Sequence, residues 1–342
     1  MDYKAAGVDI EAGNEVVRRI RALAKGTFTP GVLSEIGSFG GLFDLARAGI
    51  SDPVLVASAD GVGTKLRVAF MTGRHRSIGV DLVNHCVNDI LVQGAEPLFF
   101  FDYLATGRLE PDVAVQIVEG LAAACRENGC ALLGGETAEM PGFYQDGEYD
   151  LAGFIVGAVA RDRVIDGRGI QAGDALIGIP SSGLHTNGYS LARRIAFEKT
   201  ALGADSYVPE LGASIGDVLL TPHRSYLPLV RPLLRDSIVK GMAHITGGGM
   251  TDNLPRIFPA GTHAVIDRSA WRVPAIFTWL QRAGQVPDAD MLRTFNMGIG
   301  LILVCAADRA DQVLDAVSRA GEPGAVRIGQ VHAGGAGVVY AE

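Results

Sequence analysis

Residues 58–65 read SADGVGTK, an acidic and glycine-rich loop at the end of the apolar segment PVLVASADG (53–61). That segment is mostly apolar, which predicts a strand. The loop differs from a P-loop, whose lysine directly follows the last glycine and precedes the hydroxyl residue. Here Thr64 precedes Lys65, and Asp60 precedes both glycines. The order leaves open a degraded P-loop, an ordinary turn, or a different way of holding a nucleotide.

The bulk composition indicates a globular protein large enough for two domains. The chain has 342 residues, of which 48% are apolar and 20% charged, so a large core is expected and disorder is not. A net charge of −8 argues against a general nucleic-acid-binding surface, which needs clustered Lys and Arg. The sequence shows no signal-peptide pattern and no apolar run approaching about 18 residues. We therefore expect no nucleic-acid partner, no membrane span and a cytoplasmic location.

Segments that predict strands alternate with segments that predict helices along the whole chain. The clearest helix is PDVAVQIVEGLAAACRENG (111–129), which opens with proline and closes with glycine. The sequence turns polar at 161–173, after which strand and helix patterns begin again. This organisation predicts a mixed α/β protein with two α/β domains, residues 1–165 and 166–342.

Acidic residues accompany three glycine-rich segments of the first domain. Asp60 ends a predicted strand, Asp89 lies in a predicted helix, and Glu136 follows the predicted strand ALLGG (131–135). A lone acidic residue after a strand usually forms a turn or caps a helix. Two carboxylates at 4 Å, however, repel by about 4 kcal/mol at an effective dielectric near 20, unless a cation compensates. Mg²⁺ prefers carboxylates together with substrate phosphates, so a metal would let an acidic pocket hold ATP.

The opening loop then becomes a candidate for binding the phosphates of a metal-bound nucleotide. Asp60 is predicted to bind the metal, while Gly61 and Gly63 let backbone N–H groups face phosphate. Thr64 belongs to the same loop, and Lys65 adds a point charge. The sequence does not establish that the three acidic sites meet in space.

Seven long segments occur in order along nearly the whole chain. They are YKAAGVDIEAGN (3–14), DGVGTKL (60–66), GVDLVNHCVNDILVQGAEPLFFFDY (79–103), GGETAEMPGFY (134–144), SSGLHTNGYSL (181–191), HITGGGMTDNLPR (244–256) and RTFNMGIG (293–300). Together they strongly resemble the phosphoribosylformylglycinamidine cyclo-ligase family, also called aminoimidazole ribonucleotide synthetases. The pattern D-x-x-x-x-G-A-x-P, which marks the wider superfamily, is present from Asp89 to Pro97.

The resemblance implies a fold and a reaction. The N-terminal domain sheet would pair with its copy in a homodimer to form a barrel, and a C-terminal domain would cover one side of a cleft. ATP would phosphorylate the formyl oxygen of formylglycinamidine ribonucleotide. An amidine nitrogen would then attack the activated carbon, closing the ring as phosphate leaves. ATP and Mg²⁺ are thus the implied cofactors, and the partner is a small ribonucleotide substrate.

The resemblance also implies roles for residues of the first domain. Asp60 and Asp89 would be Mg-ATP ligands with Glu136 as a third, although a capping role for Glu136 stays open. Lys25 and Lys65 match basic positions near the nucleotide, with a solvated surface lysine as the alternative for Lys25. Gly94, in the superfamily pattern, is assigned to the same nucleotide site. The segment GSFGG (37–41) would be a loop that folds over the ligand, or a simple linker.

In the second domain, the same resemblance implies a substrate site. His185 and Asn187 would contact substrate, although Asn187 could equally cap the helix that follows. His244 could act as acid or base in ring closure. The segment TGGG after it, with Gly247 and Gly248, would cradle the ribose phosphate or form a glycine turn. Asn296 would orient the substrate.

Two competing interpretations stay within the same superfamily. Selenophosphate synthetases carry a reactive cysteine near the N-terminus, whereas this chain has no cysteine before Cys86. Thiamine-monophosphate kinases would not be expected to combine SSGLHTNGYS, AHITGGG and GGETAEMPGFY. A non-catalytic or differently specific member of this ATP-binding superfamily is the alternative function.

Overall fold

A computed structural model describes residues 10–37 and 40–341 of the chain, and the side chains within them from residue 11 onward. Residues 3–9 of the first family segment, and Ser38 and Phe39 of the proposed GSFGG loop, lie outside the described residues. The chain divides into two compact units. The first runs to Arg161 but excludes Leu91–Gly94, which group with the second unit at Asp162–Glu342. The predicted boundary after residue 165 falls in the segment between the last strand of the first unit and the first strand of the second.

The first unit combines one sheet with four α-helices in the described residues. The elements in chain order are α1 Ile10–Lys25, β1 Pro53–Gly61, α2 Leu66–Thr72, α3 Arg76–Leu91, β2 Glu96–Thr106, α4 Pro111–Asn128, β3 Ala131–Glu139 and β4 Tyr149–Ala160. The strands lie in the order β1-β4-β2-β3, and only β2 and β3 are parallel. The predicted strands and the helix α4 are confirmed, whereas α2 was not predicted.

Local sequence signals explain where these helices begin and end. Proline occupies the first turn of α4, and Gly129 closes that helix in the left-handed region at φ 70°. Helix α3 ends at Leu91 because the backbone turns at Gly94, which has a φ of 83°. An added Cβ on Gly120 would lie 2.0 Å from the carbonyl oxygen of Arg76, so glycine permits the close approach of α3 and α4.

The first sheet has one covered face and one open face. Strand β4 alternates accordingly: Leu151, Gly153 and Ile155 are buried, while Phe154 is 47% exposed. Helix α3 covers the inner face, where an added Cβ on Gly153 would lie 2.9 Å from the side chain of Leu82. Among the described residues, the outer face leaves large apolar side chains in solvent.

The second unit contains a six-stranded sheet, a short hairpin and several helices. Its strands are β5 Ala175–Pro180, β6 Tyr207–Val208, β7 Ala213–Ser214, β8 Val239–His244, β9 Thr262–Asp267, β10 Ile299–Cys305, β11 Val326–Ala333 and β12 Val338–Ala341. Its helices are α5 Tyr189–Arg193, α6 Ile215–Leu219, α7 Leu227–Leu234, α8 Gly249–Asn253, α9 Ala275–Gly284, α10 Asp288–Thr294 and α11 Ala310–Arg319. The hairpin β6–β7 and the helices α6 and α10 were not predicted.

Strand β10 lies between β5 and the edge strand β8 in this sheet. The sheet order is β12-β9-β11-β5-β10-β8, and every residue of β10 is buried. A continuous apolar strand of this kind is covered on both faces, which explains its lack of alternation. The structure therefore contains two units that both mix α-helices and β-strands, as the sequence predicted. No helix in the described part of the chain combines the length and the apolarity needed to span a bilayer.

Candidate active site

The structure brings Asp60 and Asp89 together around a histidine. Asp60 is near the end of β1, while His85 and Asp89 lie one turn apart on α3. His85 Nε2 lies 2.7 Å from Asp60 Oδ2 and 3.7 Å from Asp89 Oδ2. The hydroxyl of Ser58 donates to Asp89 Oδ2 at 3.3 Å. Two of the predicted metal ligands therefore meet, and His85, to which the sequence analysis assigned no role, connects them.

The charges of this group are mutually dependent. Burial lowers the pKa of His85, but the hydrogen bond to Asp60 and the charges of Asp89, Asp60 and Asp81 outweigh it, so the net pKa is raised. Burial alone would raise the pKa of Asp60, yet the hydrogen bond and charge of His85 lower it overall. The charge of Asp89 acts in the opposite sense on Asp60. A cation between the carboxylates would relieve the same repulsion that His85 now offsets.

The donors at this position fit Mg²⁺. A hard cation prefers oxygen ligands, commonly one or two carboxylates with substrate phosphates completing the shell. Asp60 and Asp89 supply two carboxylates whose Oδ2 atoms both face His85 Nε2. The Asp60 side chain is 39% exposed and that of Asp89 is 27% exposed, so ligands can approach from solvent. We call Asp60, His85 and Asp89 the acidic cluster.

Asp102 is a further carboxylate on the same face of the sheet. Gly153 of β4 pairs with Asp60 on one side and with Asp102 of β2 on the other, so the two carboxylates flank this glycine. Burial raises the pKa of Asp102 to about 7. Asp102 was not among the predicted site residues, although an aspartate inside the apolar strand segment LFFFDYLAT is a visible signal. A carboxyl that titrates near neutrality can gain or lose a proton under physiological conditions.

Glu136 does not join the acidic cluster within this unit. It lies inside β3, which continues to Glu139 rather than ending before Glu136. The register pairs Glu136 with Tyr103, which faces outward, whereas Asp102 pairs with Gly135. Successive side chains of a strand point to opposite faces, so Glu136 lies on the outer face and is exposed. The predicted third metal ligand is therefore placed apart from Asp60 and Asp89.

Lys65 also differs from its predicted role. Its side chain is fully buried, and its Nζ lies 2.8 Å from Asp81 Oδ1. Burial lowers the pKa of Lys65, while the charge and hydrogen bond of Asp81 act against that change. The amine therefore pairs with α3 beneath the loop instead of extending to the surface. The loop's Gly61 N–H likewise donates to Asp60 Oδ1 at 2.7 Å.

The remaining predicted nucleotide residues are dispersed. Gly63 and Thr64 are exposed in a short 3-10 turn directly after β1. Lys25 ends α1, and its Nζ forms an exposed ion pair with Glu35 at 3.1 Å. Gly94 forms the turn after α3 through its N–H to Leu91 O, at 2.7 Å. Only Gly61, Gly63 and Thr64 of this set directly follow Asp60 in the chain.

The predicted substrate residues of the second unit lie at one edge of its sheet. Strand β10 runs antiparallel to both β5 and β8, so its start lies beside their ends. The loops 181–188 and 245–249 follow β5 and β8, and residues 296–298 precede β10. Segments that are far apart in the sequence therefore meet at this edge.

Asn296 connects these segments through its side chain. Its Oδ1 accepts from Ser181 Oγ at 3.0 Å and from Gly298 N–H at 2.8 Å, while its Nδ2 donates to Gly183 O at 2.9 Å. The residue is only 3% exposed. The structure thus gives Asn296 a role in holding two loops together, which differs from the predicted contact with substrate.

Three buried histidines lie beside this edge. His185 comes from the loop after β5, His223 from the segment before α7, and His244 from the end of β8. Their exposures are 1%, 0% and 6%, respectively. His185 adopts φ 62°, an uncommon left-handed conformation, and its Nε2 accepts the Ser182 N–H at 3.2 Å. We call these three residues the histidine cluster.

The TGGG turn lies next to Asn187. Gly248 and Gly249 have φ values of 96° and 60°, conformations that glycine adopts without strain. Asn253 Nδ2 donates to Gly247 O at 3.0 Å and to Gly249 O at 2.9 Å, which ties the turn carbonyls inward. An added Cβ on Gly247 would lie 3.3 Å from Asn187 Oδ1. The structure therefore brings together Asn187 and the predicted phosphate-binding turn.

Family models match both units. Residues 45–159 match the AIR synthase related protein N-terminal domain, and residues 171–342 match the corresponding C-terminal domain. A phosphoribosylformylglycinamidine cyclo-ligase of Trichlorobacter lovleyi is 58% identical over 94% of this chain and 92% of its own length.

Solved structures resemble the fold at lower identity. Thiamine-monophosphate kinase from Stenotrophomonas maltophilia has a TM-score of 0.70 and 22% identity, covering 95% of both chains. Hydrogenase maturation protein HypE in complex with ATP has a TM-score of 0.62 and 21% identity, covering 92% of this chain and 86% of its own. These likenesses concern the fold, whereas the family models and the identity to the relative establish kinship. The chain belongs to the phosphoribosylformylglycinamidine cyclo-ligase family.

Proposed function

We propose that this chain is a ligase of purine biosynthesis that closes the ring of formylglycinamidine ribonucleotide. The products are 5-aminoimidazole ribonucleotide, ADP and phosphate. The observation that carries the proposal is the near-full-length kinship with the cyclo-ligases. That kinship favours this activity over a non-catalytic or differently specific member of the superfamily.

We assign Mg-ATP to the acidic cluster. Mg²⁺, when bound, offsets the negative charge of the nucleotide phosphates as they approach the carboxylates. Asp60 and Asp89 hold the cation, while Gly61, Gly63 and Thr64 line the approach directly after β1. Because Lys65 is buried against Asp81, its proposed role is to support α3 and the loop rather than to contact phosphate. Glu136 is omitted from the ligands that one subunit supplies.

The proposed reaction depends on orienting ATP and the ribonucleotide more than on a nucleophilic side chain of the protein. Phosphoryl transfer to the formyl oxygen converts it into a good leaving group, and the amidine nitrogen attacks the same carbon. The C–N bond forms as the C–O bond to phosphate breaks, and the nitrogen releases its proton. Because the attack is intramolecular, correct positioning supplies much of the acceleration.

The second unit is proposed to bind the ribonucleotide. Gly247 and Gly248 offer backbone N–H groups to the ribose phosphate, and Asn187 adjoins this turn. His185 and His244 would contact the reacting part of the substrate, with His244 exchanging the proton of ring closure. Asn296 would hold the loops that carry these residues. The proposed domain assignment is thus 1–165 for ATP binding and dimerisation and 166–342 for the C-terminal domain.

A homodimer is proposed through the open face of the first sheet. Leu55 is 57% exposed, Phe154 47% and Tyr103 36%, and all three are on the outer face. A contiguous exposed apolar face on a sheet usually marks an interface. A second copy of the same face would cover it, as the predicted barrel requires. Replacing Leu55 by Glu should convert a dimer to a monomer in light scattering.

The activity assay is direct. Purified protein is incubated with formylglycinamidine ribonucleotide, Mg²⁺ and ATP, and aminoimidazole ribonucleotide should appear in equal amount to ADP. ATP consumption without this product would instead support a differently specific member of the superfamily. Absence of both products under conditions where nucleotide binds would support a non-catalytic one. The predicted cytoplasmic location stays a prediction.

A further inference from the structure

His223 lies at the centre of the histidine cluster. Its ring stacks on that of His185 with centroids 3.9 Å apart and an interplanar angle of 17°. Its Nε2 lies 3.0 Å from His244 Nε2. His223 is fully buried, so contact with solvent does not account for a polar ring at this position. His185 and His244 lie in segments that resemble the family motifs, whereas His223 lies outside them.

The surrounding chain holds this residue firmly. Ser182 Oγ donates to Pro222 O at 2.6 Å, one residue before His223. Tyr226 OH donates to Pro180 O at 3.0 Å, three residues after it. Arg224 also donates to Pro180 O, at 3.2 Å. Residues before and after His223 in the chain are therefore hydrogen-bonded to the end of β5 and the loop that follows it. These bonds define the position of the His223 ring.

The nitrogen geometry couples the tautomers of His223 and His244. Two imidazole nitrogens at 3.0 Å form a hydrogen bond only when one carries the proton and the other accepts it. The second nitrogen of His223, Nδ1, lies 3.3 Å from the Thr186 hydroxyl, which can donate or accept. The proton position on His223 thus determines which nitrogen of His244 is protonated.

We propose that His223 is a positioning residue that fixes the ring orientation and tautomer of His244, while its stacked ring supports His185. This inference rests on the proposed function, in which His244 exchanges the proton of ring closure. A general acid or base must present the correct nitrogen to the reacting group. His223 supplies that constraint without touching substrate itself.

A transition-metal site is the competing interpretation of the same cluster. One nitrogen of each histidine lies within 4.8 Å of a nitrogen of each of the other two, a spacing that a metal ion could exploit. However, imidazole lone pairs lie in the ring plane, and the planes of His185 and His223 are nearly parallel. Zinc–nitrogen bonds of about 2.0–2.1 Å require lone pairs that converge on one point. The hydrogen-bonded arrangement therefore accounts for the geometry better.

Two substitutions at one position separate the hydrogen bond from the packing. His223→Phe keeps an aromatic ring on His185 but removes the nitrogen that faces His244. His223→Gln keeps a group able to donate or accept a hydrogen bond. We expect H223F to lower kcat roughly 10- to 100-fold with the KM for ATP within about twofold of wild type, and H223Q to recover most of the loss. Thermal denaturation checks that both variants remain folded.

NMR of ¹⁵N-histidine-labelled wild-type protein tests the pairing without any substitution. One ring N–H should show a through-hydrogen-bond correlation to a nitrogen of a second ring, and H223F should abolish it. Absence of that correlation, or wild-type kcat in folded H223F, would overturn the proposal. So would a loss in H223Q equal to or greater than that in H223F, because Gln retains a hydrogen-bonding group whereas Phe retains only the ring stacked on His185.

Zinc titration completes the test. Stoichiometric Zn²⁺ binding by wild type, lost in H223F and absent in a chelator-treated control, would identify a metal ligand and overturn the tautomer proposal. Failure of the proposed function is distinguishable, because wild type would then form no aminoimidazole ribonucleotide while the NMR correlation persisted.

Discussion

The acidic cluster and the histidine cluster differ in their exposure to solvent and in the interactions that hold their side chains. In the first unit, carboxylates sit partly exposed around one histidine whose pKa is raised by their charges. In the second, three histidines are almost fully buried and pair through ring nitrogens and stacking. Charge dominates the first site, whereas hydrogen-bond direction and close packing dominate the second.

The contrast suggests a division of labour. A cation can be exchanged at a partly exposed group of carboxylates, which suits a nucleotide that enters and leaves with its metal. Buried rings held by stacking and hydrogen bonds keep a fixed orientation, which suits proton exchange with a positioned substrate. The left-handed conformation of His185, at φ 62°, is a strain of the kind found at functional sites.

The largest expected effect concerns the ion pair beneath the acidic cluster. Lys65→Met should lower the free energy of unfolding by about 3–5 kcal/mol, because it removes the buried ammonium that pairs with the fully buried Asp81 carboxylate. Urea denaturation measures the change. Lys25→Met is the matched control, since its ion pair is exposed and should contribute less than about 1 kcal/mol. Equal costs for the two variants would mean that Lys65 is not buried against Asp81.

The next effect distinguishes the acidic cluster from ordinary surface carboxylates. Asp89→Asn should reduce ATP turnover by about 100-fold or more, equivalent to roughly 2.7 kcal/mol, because the neutral amide is a poor ligand for Mg²⁺. Folding should be retained, as seen by circular dichroism. Asp112→Asn, at an exposed position of α4, should leave turnover unchanged. Normal ATP turnover in D89N would contradict the assignment of Asp89 as a metal ligand.

A glycine substitution probes the packing on which the histidine cluster depends. Gly300→Ala should cost about 1–3 kcal/mol of stability, because its Cβ would lie 2.0 Å from Tyr226 Oη and 2.6 Å from His185 Cε1. Activity should fall along with stability, since His185 must move. Gly169→Ala, whose Cβ would meet nothing within 4 Å, serves as the control in the same unit. Unchanged stability and kcat in G300A would show that the cluster tolerates displacement.

The smallest effect is a pH dependence of stability in protein stripped of metal with chelator. Because the pKa of His85 is raised in the folded protein, its contribution to folding stability is complete below its unfolded-state pKa near 6.5. That contribution is lost as the pH rises through the folded-state pKa. Because the pKa of Asp60 is lowered in the folded protein, its contribution to folding stability is present above its unfolded-state pKa of about 3.9. That contribution is lost as the pH falls through the folded-state pKa. The difference in Tm between wild type and D60N should therefore be largest at roughly pH 4–6.5. A difference that is flat with pH would contradict the pairing.

Much of the local structure could be predicted because its signals are local. Proline, glycine and a period of 3.6 residues identify α4, and an apolar run followed by ADG identifies β1. The short helices α6 and α10 were missed because five- and seven-residue helices depend on tertiary packing more than on propensity. The family motifs identified the acidic residues and two histidines as candidates.

Which candidates meet depended on register and burial. Glu136 is separated from Asp60 because successive side chains of a strand point to opposite faces, and a shift of one residue in the register would place it on the other face. Lys65 is buried because its amine pairs with Asp81, which lies 16 residues away in the sequence. His223 lies outside the motifs that suggested the site, so no motif could indicate its contact with His244.

By itself, the sequence determined the mixed α/β class, the kinship and the chemical character of the side chains, since these follow from composition, periodicity and long motifs. The tertiary structure alone decided that His85 joins Asp60 and Asp89, that Lys65 is buried, and that His223 touches both other histidines. The physical reason is that hydrogen bonds and ion pairs act over about 3 Å. Such contacts depend on how strands align and helices pack, which one-dimensional spacing does not specify.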